Sequence, residues 1–214
     1  MKTKDKIIHT SLKLFNERGE RQITTNHIAA ELGISPGNLY YHFSNKQEII
    51  RSIFDLYVAQ LESSFRPHAD QRLSLEHLTQ YLDASFELMW RFRFMYANLL
   101  ELLARDAELE QKYQALQLEL ANWSRDILFQ LRESRFLSGD DATMAELADS
   151  VKFIIGAWIG YQSAQLKGGE ITKPRLYQGV LKILFTLRPY FTEESQNIYQ
   201  DLHQHYVNCA ERSE

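Results

Sequence analysis

Residues 24–46 read TTNHIAAELGISPGNLYYHFSNK, and this stretch decides the fold. Thr24-Thr25 supply an N-cap hydroxyl for a short helix through Glu31. Its apolar face is Ile28, Ala29 and Leu32. Gly33 follows where a tight turn needs positive φ. Ser35 caps the next helix, with Pro36 at the first position, where a missing N–H costs nothing. That helix runs to about Phe43, with Leu39 and Phe43 facing inward. Ala29 is small where the two helices touch, and Ile34 plugs their crossing. The spacing predicts a helix-turn-helix whose second helix offers free N–H groups to phosphate and lies in a major groove. Ser44-Asn45-Lys46-Gln47 then reads as a capping box, Ser44 bonding forward and Gln47 reaching back. It opens a long helix with Ile49, Ile50, Ile53, Phe54, Tyr57 and Leu61 apolar.

Upstream, Ile8, Leu12 and Phe15 form the inward stripe of a helix from about Lys4 to Arg18, closed by Gly19. Downstream, the periodicity predicts helices at about 73–90, 93–105, 107–135, 141–167, 174–188 and 193–208. Breaks fall at Arg66-Pro67, at Asp106, at Ser138-Gly139-Asp140, at Gly168-Gly169 and at Pro189. Asp106 and Asp140-Asp141 read as helix caps. The stretch from Phe153 to Tyr161 is rich in strand formers, but its flanks favour helix and no partner strand appears. The expected class is all-α: an N-terminal three-helix helix-turn-helix DNA-binding domain plus a larger helical domain, to which the family resemblance given below assigns ligand binding and dimerisation. The boundary is drawn at 1–47 and 48–214, with the long fourth helix belonging partly to both.

Composition narrows the class. Only 9 Gly and 4 Pro in 214 residues argue against disorder and turn-rich β folds. Cys209 is the single cysteine, so no disulfide forms within the chain and no cysteine metal cluster is possible. The N-terminal MKTKDKIIHTSLKLF lacks the apolar run of a signal peptide, and the most apolar stretch, Val151 to Tyr161, is too short to span a bilayer. A cytoplasmic protein with no membrane partner is expected. Net charge is −4, but residues 1–50 carry seven Lys/Arg against five Asp/Glu, leaving 17 against 23 for the rest. A mildly basic head on an acidic body suits a protein that meets DNA with one end. No P-loop, GxSxG, HExxH or usable Cys–His pairing occurs, so neither an enzyme nor a cofactor is expected. His203 and His205, two apart, diverge on a helix and make a poor metal pair.

Thr24-Thr25, Ile28-Ala29, Leu32-Gly33-Ile34-Ser35, Gly37, Leu39-Tyr40, His42-Phe43 and Lys46 together resemble the DNA-binding signature of the TetR (AcrR-like) family of bacterial transcription regulators. Leu32 stands where the family often has Ala. The resemblance covers roughly residues 4–55 and is architectural beyond them. It implies that Thr25, Tyr40, His42 and Lys46 hold phosphates of double-stranded operator DNA. Ser35, Pro36, Gly37, Asn38 and Tyr41 would face base edges or the adjacent backbone. Ser35 to Phe43 contains no Arg or Lys, so the commonest guanine contact is missing. Discrimination should lean on A·T pairs, DNA shape and an N-terminal arm of Lys2, Lys4 and Lys6, although those lysines also read as a merely solvated terminus.

The helices at 141–167 and 174–188 resemble the family's dimerisation pair, which implies a homodimer on a pseudo-palindromic operator. Candidate interface residues are Phe153, Gly156, Ala157, Gly160, Leu181, Leu184 and Phe185, with the glycines letting a second helix approach. The segment from Phe86 to Tyr96 is dense in aromatics and Met. Such stripes also make plain core; it is the resemblance that points to a pocket for a small apolar or amphipathic effector. Candidate ligand residues are Phe86, Met89, Trp90, Arg93, Tyr96, Trp123 and Trp158. Arg93 would suit a carboxylate and Glu101 a cation, with Arg91 and Glu87 as further candidates. The implied protein is a ligand-responsive repressor in which the helix from about Lys46 to Ser63 is the lever. The alternative is an architectural or protein-interaction factor on the same fold, with a filled core and no effector.

Overall fold

The computed structural model describes residues 2–65, 75–166 and 171–211. Its helices are α1 (Thr3–Arg18), α2 (Thr25–Leu32), α3 (Pro36–His42), α4 (Lys46–Phe65), α5 (Leu75–Arg91), α6 (Arg93–Arg105), α7 (Ala107–Glu133), α8 (Asp141–Gln165), α9 (Lys173–Leu187) and α10 (Gln196–Glu211). No strand occurs among the described residues; one antiparallel bridge joins Leu137 to Phe191. The all-α expectation holds, and Phe153 to Tyr161 lies inside α8. The largest offset is at α10, which starts later than predicted because Glu193–Ser195 forms a 3-10 turn. The predicted breaks at Arg66-Pro67 and Gly168-Gly169 lie outside the described residues.

Short-range chemistry sets the element ends. Thr24 Oγ1 accepts the His27 N–H at 3.3 Å, and Ser35 Oγ accepts the Asn38 N–H at 3.2 Å. Gly33 adopts φ 65°, the left-handed conformation that lets α2 stop within one residue. Asp106 and Asp140 cap α7 and α8 through the N–H groups of Leu109 and Thr143. The capping box of α4 sits one residue later than expected. Asn45 Oδ1 accepts the Glu48 N–H at 2.9 Å, and the Glu48 carboxylate accepts the Ser44 N–H at 2.7 Å. The helix begins at Lys46, so the third helical residue is Glu48 and not Gln47.

Two apolar clusters hold the chain. The first begins in the head with Ile7, Leu14, Phe15, Ile28, Leu39 and Phe43. It runs without interruption along α4 through Ile53, Phe54 and Tyr57 to Phe92, Phe94 and Met95. Each such fully buried side chain stabilises by roughly 1.5–3 kcal/mol. The boundary drawn at 47/48 therefore falls in the first turn of a helix whose apolar face serves both sides. The second cluster unites α8, α9 and α10 around Met144, Ala148, Ile159, Val180 and Tyr206. No described helix is long and apolar enough to cross a membrane.

Candidate functional site

The tip of the head is built from the underside outward. Leu39 and Phe43 are buried beneath α3, which forces the rest of that short helix into solvent. Ser35, Pro36, Gly37, Asn38, Tyr40 and Tyr41 are all exposed, Tyr41 at 85%. The Tyr40 hydroxyl lies 3.0 Å from Thr25 Oγ1, so α2 and α3 present one joint polar edge. The Tyr41 ring meets His42 edge-on at 5.1 Å. The predicted contact residues Thr25, Ser35, Pro36, Gly37, Asn38, Tyr40, Tyr41 and His42 thus share one surface.

Lys46 does not join them. Its ammonium turns inward to the buried Glu20 carboxylate at 2.8 Å and to the carbonyls of Glu20 and Ile23 at 3.0 and 3.1 Å. With two hydrogen bonds to carbonyls and an ion pair to Glu20, its ammonium fixes α4 to the head and is turned away from the exposed face of α3. Of the candidate arm lysines, Lys4 and Lys6 lie within the first turns of α1. The helix α1 starts at Thr3, and Lys4 stands 5.3 Å over the Phe43 ring.

A polar seam joins head to body, and sequence periodicity gives no sign of it. Glu20 also pairs with Arg105 at the end of α6, at 2.9 Å. Arg21 bonds Glu101 at 2.7 Å. That hydrogen bond, first of all, holds the Glu101 carboxyl below the usual range and the Arg21 guanidinium above its own. Arg51 of α4 binds Asp106, its NH1 2.9 and 3.1 Å from the two carboxylate oxygens. Asn16 grips the α5–α6 corner from both sides, donating to Arg91 O at 2.8 Å and accepting from Phe94 N at 3.1 Å.

Inside the body, a cavity of about 180 Å³ lies among α4, α5, α6, α7, α8 and α9. That is far above the roughly 10–15 Å³ needed for one water. Its wall is largely apolar, from Phe54 and Leu61 to Leu128 and Ile183. Tyr57, Tyr96 and Tyr113 add phenols, and the Tyr57 and Tyr96 hydroxyls are 2.7 Å apart. Desolvation pushes all three phenols up, Tyr96 to about 12, so they stay neutral donors.

Of the predicted ligand residues, Tyr96 and Trp123 line this wall. The others do not. Phe86 and Met89 belong to the second apolar cluster, with Phe86 stacked on Tyr177 at 5.2 Å. Trp90 and Arg93 sit at the α5–α6 corner, where the Arg93 guanidinium covers the Trp90 ring at 4.3 Å and donates to Trp90 O. The Trp158 indole N–H is fixed to Arg175 O at 2.8 Å. Aromatic density marked apolar content but not which side of each helix meets the void. Tyr57, Tyr113, Ser124 and Lys152, which the sequence did not single out for a pocket, also line the cavity and are found only once the helices pack.

On α8 and α9, Phe153, Tyr161 and Phe185 are exposed at 72%, 57% and 68%. Ala157 and Leu181 beside them are half-buried. Gly156 is exposed near Phe153 and Gly160 is half-buried, whereas Leu184 is placed elsewhere. Leu184 is 1% exposed in the chain's own core. Gly156 is part of the cavity wall, and a Cβ at Gly160 would lie 3.8 Å from Tyr96 O on α6. The close α8–α9 approach is made instead at Gly179, where a Cβ would come within 2.9 Å of the Trp158 ring.

A family model described as bacterial regulatory proteins, tetR family, matches residues 7–53, and one described as bacterial transcriptional repressor matches residues 56–199. A TetR-family transcriptional regulator from Marinobacter aquaeolei VT8 superposes with a TM-score of 0.87 at 35% identity, covering 96% of this chain and 99% of that one. The biofilm operon icaADBC HTH-type negative transcriptional regulator IcaR of Staphylococcus epidermidis is 34% identical over 98 residues, 45% of this chain and 52% of IcaR. The chain thus spans about half the length of this curated relative. The ketosteroid transcriptional regulator KstR2 of Mycobacterium tuberculosis shares the fold, with a TM-score of 0.60 at 20% identity over 90% of this chain and 96% of that one.

Proposed function

The chain belongs to the TetR family of bacterial transcriptional regulators, and on that premise we propose that it is a homodimeric repressor released from its operator by a small molecule. The observation that carries this reading is the double duty of α4. Its first residue, Lys46, is bonded beneath the head, while Phe54, Tyr57 and Leu61 line the cavity two and more turns on. A ligand that reshapes the cavity bears on the helix that holds the head.

In this reading Ser35, Pro36, Gly37, Asn38 and Tyr41 face base edges, and Thr25, Tyr40 and His42 hold phosphates. Lys46 positions α4. The absence of Arg and Lys between Ser35 and Phe43 puts the weight on adenine and thymine contacts and on DNA shape. The exposed Phe153, Tyr161 and Phe185 support a partner copy packing on α8 and α9, because a lone chain gains nothing from holding three large apolar side chains in water. The effector is a small apolar or amphipathic molecule that binds the DNA-incompetent state better and shifts the population toward it. An open cavity supports this sensor over an interaction factor, which needs no void.

Footprinting on the DNA flanking the coding region tests the reading. The expected result is a protected pseudo-palindrome whose half-sites lie about 34–36 Å apart, or a multiple of that, with binding that weakens steeply as salt rises. A folded two-chain preparation with no salt-sensitive preference for any duplex rules it out.

A further inference from the structure

We infer that the cavity is built for an amphipath with an apolar body and one carboxylate end, and that Lys152 is the charge partner of that end; this rests on the effector reading above. Among the described residues lining the cavity, Lys152 is the one charged group. It is half-buried and makes no ion pair with any described residue. Among the described residues of the wall there is no carboxylate, so a positively charged ligand would find aromatic faces but no opposite charge. Glu101, the carboxylate expected to serve a cation, is bound to Arg21 and Arg105 outside the cavity. Arg93, the expected partner of a carboxylate, is held on Trp90 at the α5–α6 corner. The phenols of Tyr57, Tyr96 and Tyr113 are neutral and supply no negative charge.

Physical chemistry then selects the ligand. A carboxylate entering an apolar wall loses hydration, and a charge-assisted hydrogen bond from an ammonium offsets that loss. An ammonium ligand would meet the like charge of Lys152 with only ring faces, and no carboxylate, to offset the repulsion. Room exists beside this lysine. Gly156, one turn further along α8, also lines the cavity but is exposed, and a Cβ there would meet nothing within 4 Å, so the lysine stands where the cavity opens to solvent. The head group of the ligand sits by Lys152 and Gly156, and its apolar body runs inward against the leucines and aromatics.

Three probes of matched length separate charge from shape: decanoate, decanol and decylammonium, each titrated calorimetrically below its micelle concentration. With the wild-type chain, decanoate should bind about tenfold or more tighter than decanol, the scale of one charge-assisted hydrogen bond. Decylammonium should bind weakest. Lys152→Gln should bring decanoate to the level of decanol while leaving decanol unchanged. Gly156→Leu, which fills the gap without changing charge, should weaken decanoate and decanol together. Decylammonium binding as tightly as decanoate, or decanoate indifferent to Lys152→Gln, overturns the charge assignment and leaves the effector reading intact. Binding indifferent to Gly156→Leu places the probe elsewhere and overturns the site. Failure of all three probes to bind overturns both this proposal and the effector reading it rests on.

Discussion

Two pairs of tyrosines show how differently the head and the body use the same side chain. Tyr40 and Tyr41 stand in solvent on α3, at 50% and 85% exposure. Tyr57 and Tyr96 face each other inside the body, hydroxyl to hydroxyl. The outward pair is exposed because Leu39 and Phe43 take the inward positions of a seven-residue helix, leaving its polar face no place but water. The inward pair is placed by three-dimensional packing: α4 and α6 come together far apart in sequence and leave a void between them and α7. The head closes its core and presents its polar residues on the surface, whereas the body leaves a gap in its core.

The comparison breaks most sharply if the underside of α3 is removed. Leu39→Ala should cost about 2–5 kcal/mol of stability, read in urea unfolding, and should abolish operator binding because the exposed face has lost its support. Glu20→Gln cuts the seam between the two regions. It leaves Lys46 and Arg105 without their shared carboxylate. The loss should be about 3 kcal/mol, at the low end for a broken buried pair, because both partners keep contact with water. Stability unchanged by this substitution would mean the head is held by apolar contact alone.

The inward tyrosines answer to a smaller lever. Tyr96→Phe removes one hydroxyl and should cost about 0.5–1.5 kcal/mol near neutral pH. Alkaline titration adds a second readout. The folded chain keeps the Tyr96 proton until about pH 12, while an unfolded tyrosine releases its own near pH 10, at roughly the reference value. Between those values the unfolded state binds fewer protons, so stability must fall as pH rises. The stabilisation is fully present below that range, and the Tyr96→Phe variant should lose less across it. Tyr41→Ala is the mildest for folding, within about 0.5 kcal/mol. Its effect should appear only in DNA affinity, by about 1–3 kcal/mol at a specific contact. A large change in the melting curve of this variant would erase the distinction between the two regions.

How much was legible follows from the range of the forces involved. The caps at Thr24 and Ser35, the turn at Gly33 and the inward Leu39 and Phe43 all act within a few residues, so the helix-turn-helix and its exposed tip could be read from the chain. Local spacing also gave most helix boundaries, with α4 off in which residue closes its cap and α10 starting three residues late. The resemblance gave Lys46 a phosphate, and it could not show the inward contact with Glu20, a residue 26 positions away. Leu184 was misread as an interface residue because an apolar residue does not state which helix it will meet.

From sequence alone came the class, the head and the side of α3 that faces out, because those depend on contacts between near neighbours. The packed chain alone decided where the void lies, that Tyr57 and Tyr96 share it, that Lys152 is its one charged wall residue among those described, and that Glu20, Arg21 and Asn16 bind the head to α5 and α6. Cavities and long-range ion pairs arise where helices distant in sequence approach or fail to approach, and no periodicity along a single helix encodes that distance.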